Sequence, residues 1–404
     1  MKVLMFGWEF PPLSSGGLGT ACYGLTKSLS RKGVEIIFVL PSAAEINNAD
    51  FVKFRSANNI VDFKIKKIPS ALMPYMNSES YSRFAGRQSA NISKIYGSTL
   101  LDEVYRYSIA AEKIAEEEDF DVIHCHDWMT FGAGIRAKKK KSKPLILHVH
   151  STENDRTGGH KVNQYVYDLE RAGMNKADKV IAVSNFTKNK IQTHYGIPSE
   201  KIAVVHNAVD FSQHYYEEEM HLKGPDKTVL FLGRITLQKG PEYFVYAAKK
   251  VLEHEKNVKF IIAGTGDMEP FVIEKAAELG ISSRVLFAGF LNQEEVERAY
   301  KMADIYVMPS VSEPFGITAL EAMKNRTAAI VSKQSGVSEV IKHCLKVDFW
   351  DIDDLSSKVI SLLRYKPLQD TLKDNGYFEV KKFNWDIPAE KCINIYNELI
   401  AKNL

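Results

Sequence analysis

Cysteine is scarce: the 404-residue chain carries four, Cys22, Cys125, Cys344 and Cys392, and no pair has C-x-x-C spacing. Scattered single thiols make neither a disulfide framework nor a zinc ligand set, and they fit a reducing cytoplasm. No apolar stretch approaches the roughly 20 residues needed to cross a bilayer. The opening run MKVLMFGWEF is too short for a secretory leader and meets Glu9 at once. The expectation is a cytoplasmic protein, or at most one resting on a membrane surface. Neither sign of charge dominates. The 53 basic and 50 acidic side chains leave a net charge of +3, too mild to imply a nucleic-acid partner. The one dense basic run, Lys138 to Lys141 with Lys143, reads as a solvated helix end and loop rather than a docking patch. A Walker G-K-[ST] motif, internal repeats and low-complexity segments are all missing.

What is present is ordinary globular composition, 45% hydrophobic and 25% charged, in a chain long enough for two or three domains. Unbroken apolar runs such as IIFVL at 36–40 suggest strands covered on both faces, as in a parallel α/β sheet. Strand-like KVLMFG leads through PPLSSGGLG into a helical pattern on Cys22, Leu25 and Leu29. Further strands are expected at 121–126, 144–150, 179–184 and 202–207, with a long helical stretch over 88–118. The polar segment 210–227 reads as a linker. A second series of alternating strands and helices follows it, and the chain closes on an amphipathic helix from residue 386. The spacing predicts two Rossmann-like domains, each a doubly wound parallel sheet, facing each other across a cleft. They cover 1–209 and 228–385.

Three places carry chemistry. In SSGGLGT, Gly16, Gly17 and Gly19 precede a helix, so backbone N–H groups there can approach an anion. The dinucleotide fingerprint fails, because Gly17-x-Gly19-x-x ends on Cys22 and the second strand closes on Leu40-Pro41 without an acid. In FLGRITLQKG, Arg234 leaves a strand end and Lys239 precedes the next helix, a pair suited to a diphosphate. IIAGTGD adds a glycine turn at Gly264. In SEPFGITALE, Pro314 and Gly316 lead into a helix starting near Ile317, so the amides at Phe315, Gly316, Ile317 and Thr318 can face a phosphate. Glu313 and Glu321 flank it, and carboxylates accept from vicinal hydroxyls. An anion between two hydroxyl-bearing rings describes a nucleotide-sugar.

With these residues the chain resembles, nearly end to end, the two-Rossmann-domain (GT-B) retaining glycosyltransferases of family four, which include glycogen-synthase-like members. Glu313 and Glu321 with Pro314-Phe315-Gly316 carry the resemblance most specifically. PPLSSGGLGT, GRITLQKG, VHNAVD at 205–210 and Trp385 support it. It implies that Arg234 and Lys239 hold the diphosphate, Glu321 the ribose and Glu313 the hexose. Phe290 and Leu291 would meet the base through their backbone, and Gly17 would close over the phosphates. The helix 386–404 would cross back onto the first domain. HCHDWMT resembles the H-x-H-D-W of bacterial glycogen and starch synthases, which carries over Asp127 as an active-site acid. HVHSTENDRTGG places His150 beside the transferred sugar. Tyr75 and Tyr81, with Phe84, would offer aromatic faces to a glucan.

The expected reaction transfers glucose from UDP- or ADP-glucose to a glycogen-like α-glucan, with no cofactor and no metal. The alternatives are a membrane-surface enzyme of envelope polysaccharide or glycolipid synthesis, which the basic stretch 83–107 permits, and a non-catalytic nucleotide-sugar sensor. His124, His126, His148 and His150 alternate on strands and invite a metal reading, but no further ligand completes a set. Asp351, Asp353 and Asp354 resemble a metal-binding D-x-D. The segment Ser335 to Glu339 departs from the family's glycine pair, which leaves that loop without an expected role.

Overall fold

The computed structural model describes residues 1–10, 16–42, 51–56, 59–69, 99–211 and 226–403. Its first sheet is built from β1 (Lys2–Phe6), β2 (Glu35–Ser42), β3 (Phe51–Ser56), β4 (Asn59–Pro69), β5 (Val122–His126), β6 (Leu145–Val149), β7 (Lys179–Ala182) and β8 (Ile202–Val204). Its order is β3-β4-β2-β1-β5-β6-β7-β8. The second contains β9 (Lys227–Leu232), β10 (Val258–Ala263), β11 (Val285–Gly289), β12 (Ile305–Met308), β13 (Ala328–Ser332) and β14 (Leu345–Val347), in the order β11-β10-β9-β12-β13-β14. All pairings are parallel except β3 with β4, an antiparallel edge pair. That edge differs from the all-parallel expectation. Its segments alternate apolar and polar residues, as in FVKFRS and VDFKIK, where the central strands are continuously apolar.

Every residue of β5 and β6 is buried, because helices cover both faces. The helix Gly17–Arg31 lies over the sheet by Leu18, Cys22, Leu25 and Leu29, and Gly33, at φ 81°, turns the chain out of it. Leu100–Glu117 starts on a capping box, with Thr99 and Asp102 each accepting the other's backbone N–H. Lys138 to Lys141 form the last turn of the helix Trp128–Lys141, where the dipole favours cations. Lys138 pairs with Asp178 at 2.7 Å and Lys140 with Glu116, so the run is a solvated helix end. Among the described residues, no helix is long and apolar enough to cross a membrane.

The last helix, Asp386–Asn403, packs on Gly17–Arg31 of the first domain. Ser28 Oγ donates to Asp386 at 2.5 Å, Lys32 pairs with Glu390 at 2.7 Å, and Tyr396 Oη lies 2.6 Å from His124 Nδ1. Gly24 permits this approach, since a Cβ there would stand 2.2 Å from the Trp385 ring. The hydrophobic core accordingly runs from β1 and β5 through Trp385, Cys392 and Tyr396. Strand order reverses at β1/β5 in one sheet and β9/β12 in the other. Open α/β sheets bind ligands beyond the carboxyl ends of strands at such points.

Candidate active site

In the second domain, Arg234 follows β9 and Glu313 follows β12, so the chain brings them to one switch point. Gly233, at φ 157°, releases the chain after β9, and the Arg234 guanidinium donates to Gln238 at 3.0 Å. Lys239 closes a short 3₁₀ turn, Leu237–Lys239, and its Nζ lies 2.6 Å from Glu313 Oε2. Ser310 Oγ donates to the same oxygen at 3.1 Å. The Glu313 side chain is 7% exposed, so this cation and acid neutralise each other in a largely desolvated place. An arriving phosphate would share Lys239, whose ammonium has three donors. Gly240 fixes the turn, because its φ of 62° suits glycine and a Cβ would meet the Pro309 carbonyl at 2.3 Å.

Gly316, at φ 106°, opens the helix Ile317–Lys324, and no side chain caps that end. Its first amides keep their donors for an anion. Phe315 is buried against His206 and its carbonyl accepts from Val337 N at 2.6 Å, so its side chain serves the packing of this loop. Glu321 sits a turn further in. Burial raises its pKa, and the Tyr300 hydroxyl, donating at 3.2 Å, works against that shift. Phe290 is exposed and Leu291 half-buried beyond β11. Gly264 has a structural reason of its own: a Cβ would lie 1.9 Å from the Gly233 carbonyl oxygen, where two strand ends cross.

In the first domain, Asp127 ends β5 at φ 61° and begins Trp128–Lys141. Its carboxylate accepts from His150 N at 2.7 Å and Ser151 N at 3.2 Å, tying the β6 loop to the end of β5. Burial pushes its pKa up to about 7, against the pull of Arg156 and those two N–H groups. His126 Nδ1 lies 3.0 Å from His150 Nε2, and His124 Nε2 lies 3.2 Å from His148 Nδ1. Burial holds all four imidazoles well below their usual pKa, His126 at about 3, so they are neutral near pH 7. Ligand atoms of His124, His126 and His148 fall within 4.8 Å of one another, as do those of Cys22, His126 and His150. Cys22 thus joins two of the histidines, which corrects the expectation that no further ligand lies near them: the helix Gly17–Arg31 packs on the sheet and brings its buried thiol there. The His124, His126 and His148 rings stack at interplanar angles of 18–30°. Gly17 is exposed at the start of its helix, while the nearby Gly19 amide is taken by the buried Glu9 carboxylate at 3.1 Å.

The two domains meet beside these residues. The β6 loop runs from His150 to Gly158, whose Cβ direction faces Leu237 and Val311 at 3.5 Å. Asp155 accepts from Ser312 at 2.6 Å. Glu339, in the segment that the sequence left without a role, accepts from Asn185 N at 2.8 Å and Phe186 N at 3.2 Å, and pairs with His206 at 2.6 Å. It caps the helix Asn185–Tyr195 from the opposite domain. Asp155, Lys190 and Glu339 were invisible to sequence reading because their partners lie far off in the chain. Asp351 caps the helix Ile352–Arg364, and Asp353 and Asp354 pair with Lys250 and Lys358, so these three act as a cap and surface ion pairs. Tyr75, Tyr81 and Phe84 lie outside the described residues, as does most of 83–107. Arg106 from that stretch is engaged by the buried Glu103 at 2.6 Å.

Residues 15–213 match the Glycosyltransferase Family 4 domain, and residues 216–378 match Glycosyl transferases group 1. An uncharacterised glycosyltransferase of Methanocaldococcus jannaschii is 30% identical, with 98% of each chain covered. Glycogen synthase of Mycobacterium tuberculosis is 24% identical over 84% of this chain and 80% of its own. Among solved structures, sucrose-phosphate synthase from Thermosynechococcus elongatus superposes with a TM-score of 0.80 at 20% identity, covering 99% of both chains. Anabaena HepE, solved with UDP-glucose, gives 0.71 at 15% identity, over 99% of this chain and 100% of its own. The chain belongs to the two-domain glycosyltransferases of family four, in the group that includes glycogen-synthase-like enzymes.

Proposed function

We propose that this glycosyltransferase moves glucose from UDP- or ADP-glucose to a glycogen-like α-glucan, with retention of anomeric configuration and without a metal. The observation that carries this reading is the convergence at one switch point of Arg234, Lys239, Glu313 and an uncapped helix start. As the bond from C1 to the diphosphate oxygen breaks, the leaving group gains negative charge. Arg234, Lys239 and the amides at Ile317 and Thr318 stabilise that charge. Glu313 holds hexose hydroxyls, Glu321 the ribose hydroxyls, and Phe290 and Leu291 border the base. His150 lies beside the sugar, and Asp127 fixes the loop that carries it. The acceptor hydroxyl attacks C1 on the face the diphosphate leaves, and a departing phosphate oxygen takes its proton.

Resemblance to a glycogen synthase supports the glucan acceptor, and likeness to a fold solved with UDP-glucose supports the donor class. A panel of UDP-, ADP- and GDP-sugars, with and without glycogen and in EDTA, tests the reading. The expected outcome is release of nucleotide diphosphate that needs glycogen and survives chelation. Abolition by EDTA with rescue by Mg²⁺ would overturn the metal-free leaving group. Release that ignores glycogen would overturn the acceptor, and no release with any donor would leave a sensor.

A further inference from the structure

The backbone on both sides of Glu313 is held from the opposite domain. On one side, the Ser312 hydroxyl donates to Asp155 Oδ1 at 2.6 Å and accepts from Lys190 Nζ at 2.6 Å. Lys190 and Asp155 themselves pair at 2.9 Å, with the Asp155 side chain fully buried. On the other side, the Pro314 carbonyl accepts from Ser184 Oγ at 2.5 Å and from Thr187 Oγ1 at 3.1 Å. Ser184, Thr187 and Lys190 recur every third residue from the N-cap of Asn185–Tyr195, so one helix face makes all of these contacts to the loop except that of Asp155. The approach is as close as backbones allow. A Cβ on Gly336 would stand 2.2 Å from the Pro314 oxygen and 2.4 Å from Ser184 Cβ.

Within its own domain Val311 N and Ser312 N donate to Gln238 O at 3.0 and 3.4 Å, and Val337 N donates to the Phe315 carbonyl at 2.6 Å. Glu313 N donates to Gln334 O and Gly336 N to Glu313 O, each at 2.9 Å, while Lys239 holds the side chain. The Ser312 hydroxyl and the Pro314 carbonyl take their partners from the first domain. We infer that Ser184, Thr187 and Lys190 are positioning residues for Glu313, aligning its carboxylate with the transferred sugar when the two domains are docked. The inference rests on the reading that Glu313 holds the hexose. These residues touch no substrate in that reading. They set the direction of a side chain that does, and a displacement of about 1 Å in such a group can cost about a hundredfold in rate.

The double substitution Ser184→Ala with Thr187→Val removes both bonds to Pro314 and leaves no charge behind. Lys190→Met is paired with Lys190→Arg, since the methionine strands buried Asp155 and can weaken the fold by itself. Three quantities are read: kcat with the best donor, affinity for free nucleotide diphosphate by calorimetry, and amide hydrogen exchange over 310–318. The double variant is expected to lose about 10- to 100-fold in kcat. Its nucleotide affinity should stay within about twofold of wild type, while exchange over 310–318 accelerates. Lys190→Arg should recover most of the rate that Lys190→Met loses. An unchanged kcat, or a parallel loss of nucleotide affinity, would overturn the inference. Unchanged exchange with a reduced rate would do so as well. Exchange needs no substrate: accelerated exchange in a protein inert towards every donor would uphold the clamp on this loop and sink the transfer reaction instead.

Discussion

Glu313 and Glu321 share one helix start and live in different surroundings. Glu313 meets Lys239 and Ser310, whereas Glu321 meets a tyrosine hydroxyl and has its pKa raised by burial. Their loss should therefore read out differently. Glu321→Gln is expected to weaken free nucleotide diphosphate and intact donor alike, by about 1–3 kcal/mol, the cost of a buried hydrogen bond left unmade. Glu313→Gln should leave nucleotide affinity nearly unchanged while kcat collapses, because its contacts matter most as C1 gains positive charge. Calorimetry with nucleotide diphosphate alone separates the two. Equal losses would mean that both acids serve the helix instead of the sugars. The spacing of these acids was legible in the sequence because it is local, two residues on one turn and loop. The Lys239–Glu313 contact was not, since a parallel sheet decides which distant loops become neighbours.

Element by element, legibility follows how many buried residues define the pattern. Gly17–Arg31 buries four large apolar or thiol side chains at helical spacing and was read directly. Asn185–Tyr195 buries only Thr187, Ile191 and Tyr195, and its sequence NFTKNKIQTHY gives periodicity little to work with. Yet this is the helix that grips the loop around Glu313. The edge pair β3–β4 went unread for another reason, its alternation being weaker than the apolar runs beside it. Docking of the last helix gives the sharpest test at this scale. Gly24→Ala would drive a methyl into the Trp385 ring, and overpacking of this kind costs about 1–3 kcal/mol. The unfolding midpoint of the first domain should fall, measured by thermal denaturation. An unchanged midpoint would show that Trp385 can move aside and that the docking is loose.

For the molecule as a whole, the buried histidines set the response to acid. His124, His126, His148 and His150 are held neutral, with pKa values lowered by burial, so unfolding lets each bind a proton below its ordinary value of about 6.5. Stability from this source is present above about pH 6.5 and drains as pH falls towards the depressed values. Asp127 acts in the opposite sense. Its pKa, raised to about 7, adds stability below about pH 4 that is lost as pH rises through 7. Glu170, Glu242 and Glu321, also raised by burial, act with Asp127, so the histidine share is isolated by substitution. Chemical denaturation should show stability falling from pH 6.5 to 5, and His126→Gln should reduce that slope by up to about 1.4 kcal/mol per pH unit. Identical slopes would mean that His126 takes up its proton as readily in the folded protein as in the unfolded one. The architecture of two doubly wound sheets was readable from alternating strands and helices, whereas this histidine stack needed β5 and β6 laid side by side. The return of Asp386–Asn403 carries a consequence in time. Synthesis delivers the first domain early, but Gly24 and His124 wait for Trp385 and Tyr396, which follow only after the second domain. A nascent chain released just short of that helix would bare the patch that Cys392 and Tyr396 cover, and cellular proteases would meet it as an unfinished product.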